Sequence, residues 1–175
     1  PSVVKDKVLE MVNGIRENDK LHLFSAHNQP ETMAITPWPD ESWLSVNNVY
    51  SYDSVIYNRY KKAYTQSVMP YYQIESAYEN EHNSTPQQLR STAYWAILSG
   101  AMGHIFGNCP VWGFGSAKKF CAEADWKVEM NNRGSVSMDY LQRLFRSRSW
   151  QLLIPDFDNK LITSGFGTWG TKDHV

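Results

Sequence analysis

The chain has 175 residues, 42% of them hydrophobic, and a formal net charge of −1. That is enough apolar material for one packed domain, and too little charge imbalance to argue for nucleic acid or an anionic membrane as partner. Cys109 and Cys121 can pair but make no disulfide framework, C-x2-C zinc spacing is absent, and no apolar run reaches bilayer-spanning length.

Aromatic residues are plentiful, with Trp 7, Tyr 10 and Phe 7. Flat rings cover the C–H face of a sugar, and they also fill cores and interfaces.

In chain order, PSVVKDKVLEMVNGIREND places Val4, Val8, Leu9, Val12 and Ile15 at helical spacing. LHLFSAH (21–27) reads as a strand, a polar loop with prolines follows to Glu41, and WLSVNNVYS (43–51) reads as a second, weaker strand. Asp53 is placed to cap a helix over SVIYNRYKKAYTQS, with Val55, Ile56, Tyr60, Ala63 and Tyr64 on one side. Pro70 ends that connection, and YYQIES (71–76) is a third strand. Thr85-Pro86-Gln87-Gln88 is a helix start, in which Thr85 caps, Pro86 takes the first turn and Gln88 completes a capping box. That helix stops at Gly100, and MGHIFG (102–107) is a short fourth strand. A long loop leads to a last amphipathic helix through Met138, Leu141, Leu144 and Phe145. WQLLIPDFD and KLITSGFGTWG read as short strands of a further unit.

Strands alternating with helices imply a parallel sheet with crossover connections. Neither G-x-G-x-x-G nor a P-loop is present, so a nucleotide fold loses its main support. The choice lies between a doubly wound sheet and part of a (β/α)8 barrel, and both place chemistry at the C-terminal ends of strands. His27, Asn47, Asn48, Glu75, His104 and Asn108 fall at such ends. A full barrel takes about 250 residues, so four strand–helix units amount to half of one.

Glu75 is the leading candidate for chemistry, because an apolar strand delivers its carboxylate to a partly desolvated mouth. The plain alternative is a solvated loop glutamate. Glu79 pairs with Arg90 or accepts from backbone. As a catalytic partner of Glu75 it needs a sharp turn, because four extended residues span roughly 13 Å. Glycosidase carboxyls stand about 5–5.5 Å apart when retaining and about 6.5–9.5 Å when inverting. His27 and His104 are placed to bind a sugar hydroxyl, to orient a carboxylate, or to serve structure alone, while His22 faces elsewhere. Trp43, Tyr50, Tyr52, Trp112 and Phe114 are sugar platforms or packing under loops. There is no H-E-x-x-H, no G-x-S-x-G elbow, and no helix opening after the Gly-rich GFGSAKKF, so neither a metal nor another cofactor is expected.

Three stretches together carry a resemblance: YYQIESAYEN, TPQQLRSTAYWAILSGAMGHIFGNCPVWGF and SVSMDYLQRLFRSRSWQLLIPD. They resemble the apiosidase-like catalytic domain, also known as domain of unknown function 4038. The matching positions are Glu75, Tyr78, Glu79, Arg90, Tyr94, Trp95, Ser99, Gly100, Gly103, Gly107, Trp112, Trp150, Leu153, Pro155 and Asp156, in order across roughly residues 5 to 156.

The resemblance implies a (β/α)8 glycoside hydrolase akin to glycoside hydrolase family 140, whose members include apiosidases acting on pectin side chains. It implies that residues 1–156 are the C-terminal half of the barrel, about strands 5 to 8. Residues 157–175 would begin a C-terminal β-domain of collagen-binding-like type. Glu75 would be the strand-7 nucleophile, with the acid/base carboxylate at the end of strand 4, upstream of Pro1. Tyr78, Glu79 and Arg90 would support it, and His27, Asn48, Tyr50, His104 and Trp112 would contact substrate.

The expected partners are an oligosaccharide or polysaccharide and the N-terminal half of the barrel, with no nucleic acid and no membrane. The expected location is secreted or periplasmic. The competing expectations are a glycan-binding or inactive relative of the same fold and a free-standing α/β interaction domain.

Overall fold

The structure is a computed structural model and describes residues 2–53, 56–66, 69–114, 120–121 and 124–168. It opens with α1 (Ser2–Asn18), which turns Val12 into a core with Ala34, Trp38, Trp43 and Leu44, flanked by Val8, Leu9 and Phe24. The helical spacing of the apolar residues thus does what it predicts on one side, although Val4 and Ile15 stay exposed.

Next come β1 (Asn47–Tyr50), α2 (Tyr57–Gln66) and β2 (Tyr71–Glu75). β1 and β2 pair in parallel, and the connection through α2 covers one face. On that face Val49, Ile56, Tyr60, Ala63, Tyr71, Ala96 and Ala101 form a second core. The Asp53 cap borders residues 54 and 55, so that expectation, and Val55 with it, lies outside the described residues.

α3 (Pro86–Leu98) starts as its sequence says: the Thr85 hydroxyl accepts from the Gln88 N–H at 3.2 Å and Pro86 occupies the first turn. It ends where Gly100 takes a φ of 89°, a left-handed conformation that favours glycine. An added Cβ there would also meet the Tyr64 ring at 2.6 Å. The long loop that follows holds a short helix, α4 (Trp126–Glu129), and a Cys109–Cys121 disulfide. α5 (Arg133–Arg146) then packs on α3, and a 3-10 turn spans Trp150–Leu152.

Two expected strands do not form as continuous ladders. Residues 102–109 run alongside β2 and bond to it, with Gln73 N–H to Gly103 O at 3.1 Å and Ile105 N–H to Gln73 O at 3.0 Å, but form only isolated bridges. Residues 21–27 form no strand: the Phe24 carbonyl accepts from Ser45 and Val46 at 2.9 and 3.1 Å, and the Asp19 carboxylate ties Leu21 and His22 into a turn. Leu21 and Leu23 are consequently 90% and 68% exposed. No strand forms in residues 151–168 either. There the Asp156 carboxylate accepts from the N–H groups of Lys160, Leu161 and Ile162 and shapes a loop.

The segments therefore lie side by side in chain order: 24–26, β1, β2, 102–109. A doubly wound sheet reverses its strand order at the switch point, and this row does not.

Candidate functional site

One irregularity of register builds the site. Asn47, Asn48 and Val49 sit opposite Tyr71, Tyr72 and Gln73, but Tyr50 sits opposite Glu75. β2 therefore holds one extra residue, Ile74. Val49 and Tyr71 belong to the core under the helices. Strict alternation from Tyr71 would send Glu75 there as well. The extra residue instead turns Glu75 to the opposite face, beside Tyr50.

There the carboxylate is held by both oxygens. Tyr52 donates its hydroxyl to Oε1 at 3.0 Å, and His27 Nε2 lies 3.0 Å from Oε2. The Tyr50 and Tyr52 hydroxyls are 3.0 Å apart. With the Tyr52 proton committed to Glu75, Tyr50 donates to Tyr52, giving a relay of two hydroxyls ending on the carboxylate. The His27 ring meets the Tyr50 ring edge-on at 5.0 Å. The Glu75 side chain is only 16% exposed, so its two polar partners replace most of its water. Burial, the bond with Tyr50 and the neighbouring Glu75 push the Tyr52 hydroxyl well above the usual range, so it stays a donor.

The relay is anchored from behind. Glu31 accepts from Ser51 Oγ at 2.7 Å, the Tyr52 N–H at 3.2 Å and Arg59 Nε at 3.1 Å, which fixes the backbone that carries Tyr52.

Glu75 opens into a cavity of about 680 Å³ lined by Tyr52, Glu75, Tyr78, Glu81, His82, Trp112 and Phe120. His82 stacks on Tyr52 at 4.4 Å, and Trp112 Nε1 donates to Glu81 Oε1 at 3.1 Å. Burial, with the charges of Glu75 and Glu81, pushes the Tyr78 hydroxyl up to about 12. Glu81 and His82 reach the cavity because Asn80, His82 and Asn83 adopt left-handed backbone, with φ of 69°, 50° and 54°. Asn80 pins that turn to the Cys109 carbonyl at 2.7 Å. Among the described residues no three His, Cys, Asp or Glu side chains gather as a metal would require.

Of the residues expected at the site, Glu75, His27, Tyr50, Tyr78 and Trp112 come together. Four do not. His104 lies beside Gln73 on the helix-covered face and lines a separate groove with Phe106, Met138 and Phe145. Burial there lowers its pKa to about 4, so it is a neutral ring in an apolar setting. Asn48 is buried and donates to Ser25 Oγ and the Ala26 carbonyl at 2.9 and 2.8 Å, tying the His27 segment to β1. Arg90 is exposed on α3 and lines none of the described cavities. Glu79 is buried and turned to α5, where it accepts from Gly134 N–H at 2.6 Å, Ser135 N–H at 3.0 Å, and Ser135 Oγ and Asn108 Nδ2 at 3.1 Å.

Among the expected platforms, Trp43 is core and Phe114 packs on Trp126 away from the cavity. Glu81 also lines the cavity. His82 and Phe120 carry no local signal that would have placed them there.

The Tyr52 hydroxyl is testable by itself. Tyr52→Phe removes one donor to Glu75 but keeps the ring under His82, so stability should change little. Turnover in an enzyme that uses Glu75 should fall by roughly tenfold, the scale of one lost charge-assisted hydrogen bond. Steady-state kinetics beside a thermal melt would check both halves of that expectation.

A family model described as apiosidase-like, catalytic domain, matches residues 3–151. No curated protein matches the chain. Among solved structures, a glycoside hydrolase family 5 protein from Bacteroides vulgatus ATCC 8482 aligns with a TM-score of 0.66 at 24% identity, covering 78% of this chain and 36% of its own. A second, described as a glycoside hydrolase, aligns with a TM-score of 0.68 at 20% identity, covering 78% of this chain and 38% of its own. The likeness is one of fold, that of the (β/α)8-barrel proteins, and the chain spans little more than a third of either structure.

Proposed function

The chain belongs to the apiosidase-like catalytic-domain family, and from that membership we propose that it carries the nucleophile-bearing part of a glycoside hydrolase, with Glu75 as the nucleophile. The observation that carries this reading is the two-sided grip of Tyr52 and His27 on a nearly buried carboxylate at an aromatic-lined cavity. A carboxylate so held has one oxygen edge aimed at a fixed point and little freedom to lose on reaching the transition state.

In this proposal a Glu75 oxygen attacks the anomeric carbon while a second carboxylic acid protonates the departing glycosidic oxygen. Water, deprotonated by that second group, then releases the sugar with its configuration retained. Glu79 is committed to α5, so it does not serve as the second group. The acid/base comes from the N-terminal half of the barrel, residues 1–156 here forming about strands 5 to 8. The limited share of the matched structures and the bare Leu21 and Leu23 support that assignment. From Asp158 onward the described residues are largely exposed, which supports a boundary after residue 156 with a separate C-terminal β-domain beyond it.

The substrate class we propose is a plant polysaccharide, with pectin side chains the first candidate, and the location secreted or periplasmic. The Cys109–Cys121 disulfide supports an oxidising compartment.

The test is sugar release from rhamnogalacturonan-rich pectin and from a panel of aryl glycosides by the full-length protein that contains this chain. Release supports the hydrolase. Binding without release favours the second reading, a non-catalytic glycan-binding relative, for which the open aromatic cavity alone would suffice.

A further inference from the structure

We propose that the Glu81–Trp112 pair is a charge filter, restricting the cavity beside Glu75 to uncharged or cationic sugar units and refusing uronates and other anionic ones. The inference rests on the glycosidase reading of Glu75 and goes beyond it in naming what the cavity accepts.

Two carboxylates, Glu75 and Glu81, line this one cavity, and no Lys or Arg among the described residues does. The two are held differently. Glu75 has partners on both oxygens, whereas Glu81 accepts from Trp112 on Oε1 at 3.1 Å, and no hydrogen bond to Oε2 is made among the described residues. A carboxylate with one oxygen engaged and one open is suited to accept from a sugar hydroxyl or a sugar ammonium. The bond from Trp112 also sets the indole as a fixed wall, on which the C–H face of the same unit can lie.

The field around the pair is negative enough to register on its neighbours. Tyr78 and Tyr50 are both held above the usual phenol range, by burial first, with Glu75 and Glu81 adding to it. A sugar carboxylate entering this space would meet the Glu75 and Glu81 carboxylates with no Lys or Arg among the described lining residues to offset them, His82 being the lining side chain that can take up a proton. The orientation is built in rather than incidental. Glu81 stands in a turn of left-handed residues, and Asn80 locks that turn to the Cys109 carbonyl at 2.7 Å, three residues before Trp112. An acidic backbone unit of a pectin would on this view sit outside the cavity, with a neutral branch unit inside.

The experiment is isothermal titration of the full-length protein with three oligosaccharides of equal length: neutral galacto-oligosaccharide, oligogalacturonide and chitosan oligosaccharide. Wild type is compared with Glu81→Gln and Glu81→Lys. Gln keeps an acceptor for the Trp112 N–H, and circular dichroism checks that both variants fold. In wild type the neutral or cationic probe should bind at least about tenfold more tightly than the oligogalacturonide, a ratio that shrinks with added salt. In Glu81→Gln it should narrow to about threefold or less, and Glu81→Lys should favour the anionic probe.

Equal affinity of wild type for neutral and anionic probes, or a ratio untouched in Glu81→Gln, overturns the filter while leaving the glycosidase reading intact. If no probe binds and no sugar is released from any glycoside, both are overturned together.

Discussion

If Glu75 is the nucleophile as proposed, replacing it by glutamine is expected to lower sugar release by the full-length protein by roughly a thousandfold or more, the scale of removing a nucleophile, with the fold unchanged. Glutamine is isosteric and can still accept the Tyr52 proton through its amide oxygen in the place of Glu75 Oε1, which lies 3.0 Å from that hydroxyl. What it lacks is the negative oxygen that, in the proposed mechanism, attacks carbon. The amide nitrogen would also face His27 Nε2, so the ring must present its acceptor tautomer or turn away. Sugar release, KM and thermal midpoint measured together separate the outcomes. A collapse of kcat with KM and stability kept supports the nucleophile. Unchanged release would move the site elsewhere in the protein.

Removing the Glu79 carboxylate should be the most destabilising single truncation near the cavity. The residue capping α5, Asn132, makes no side-chain cap bond to the helix, so the N–H of Gly134 in its first turn depends on a residue 55 positions earlier. Glu79 accepts from four donors, two of them the backbone N–H groups of Gly134 and Ser135. Its negative charge lies at the positive end of the helix. Alanine strips a cap and leaves buried donors unmet, a loss of about 3–5 kcal/mol. The same site needs glycine at 134, because an added Cβ would stand 2.7 Å from the Glu79 carboxyl carbon. Urea unfolding of Glu79→Ala and Glu79→Gln checks this. Gln retains an acceptor and should recover part of the loss, and an unchanged midpoint in both would show that α5 holds itself.

The sequence made some of this plain for local reasons. Thr85-Pro86 and Gly100 announce the two ends of α3, because caps and left-handed turns are properties of a few adjacent residues. Glu75 stood out because an apolar run ends on it. What was not legible depends on contacts across the chain. That Glu79 accepts from backbone was one of its two readings and holds, but which backbone was not legible, because the donors are a helix start beyond the disulfide loop. His104 was expected at the mouth because a strand end was taken as enough. Facing is set by pairing, and its pairing with Gln73 turns it under the helices. Residues 21–27 have the composition of a strand, but only one carbonyl finds ladder donors and the leucines find no cover. Glu81 and His82 enter the cavity through left-handed backbone that non-glycine residues seldom announce.

The extra residue in β2 has a consequence for heredity. Between Tyr71 and Glu75 the facing of the glutamate depends on the residue count and on the bulge together. Loss of the single codon for Ile74 would remove the bulge and leave the glutamate three residues after Tyr71, where regular alternation sets it opposite Tyr50 on the same face as before. The spacing between the buried tyrosine and the glutamate can therefore drift by this one residue in a lineage without turning the carboxylate into the core.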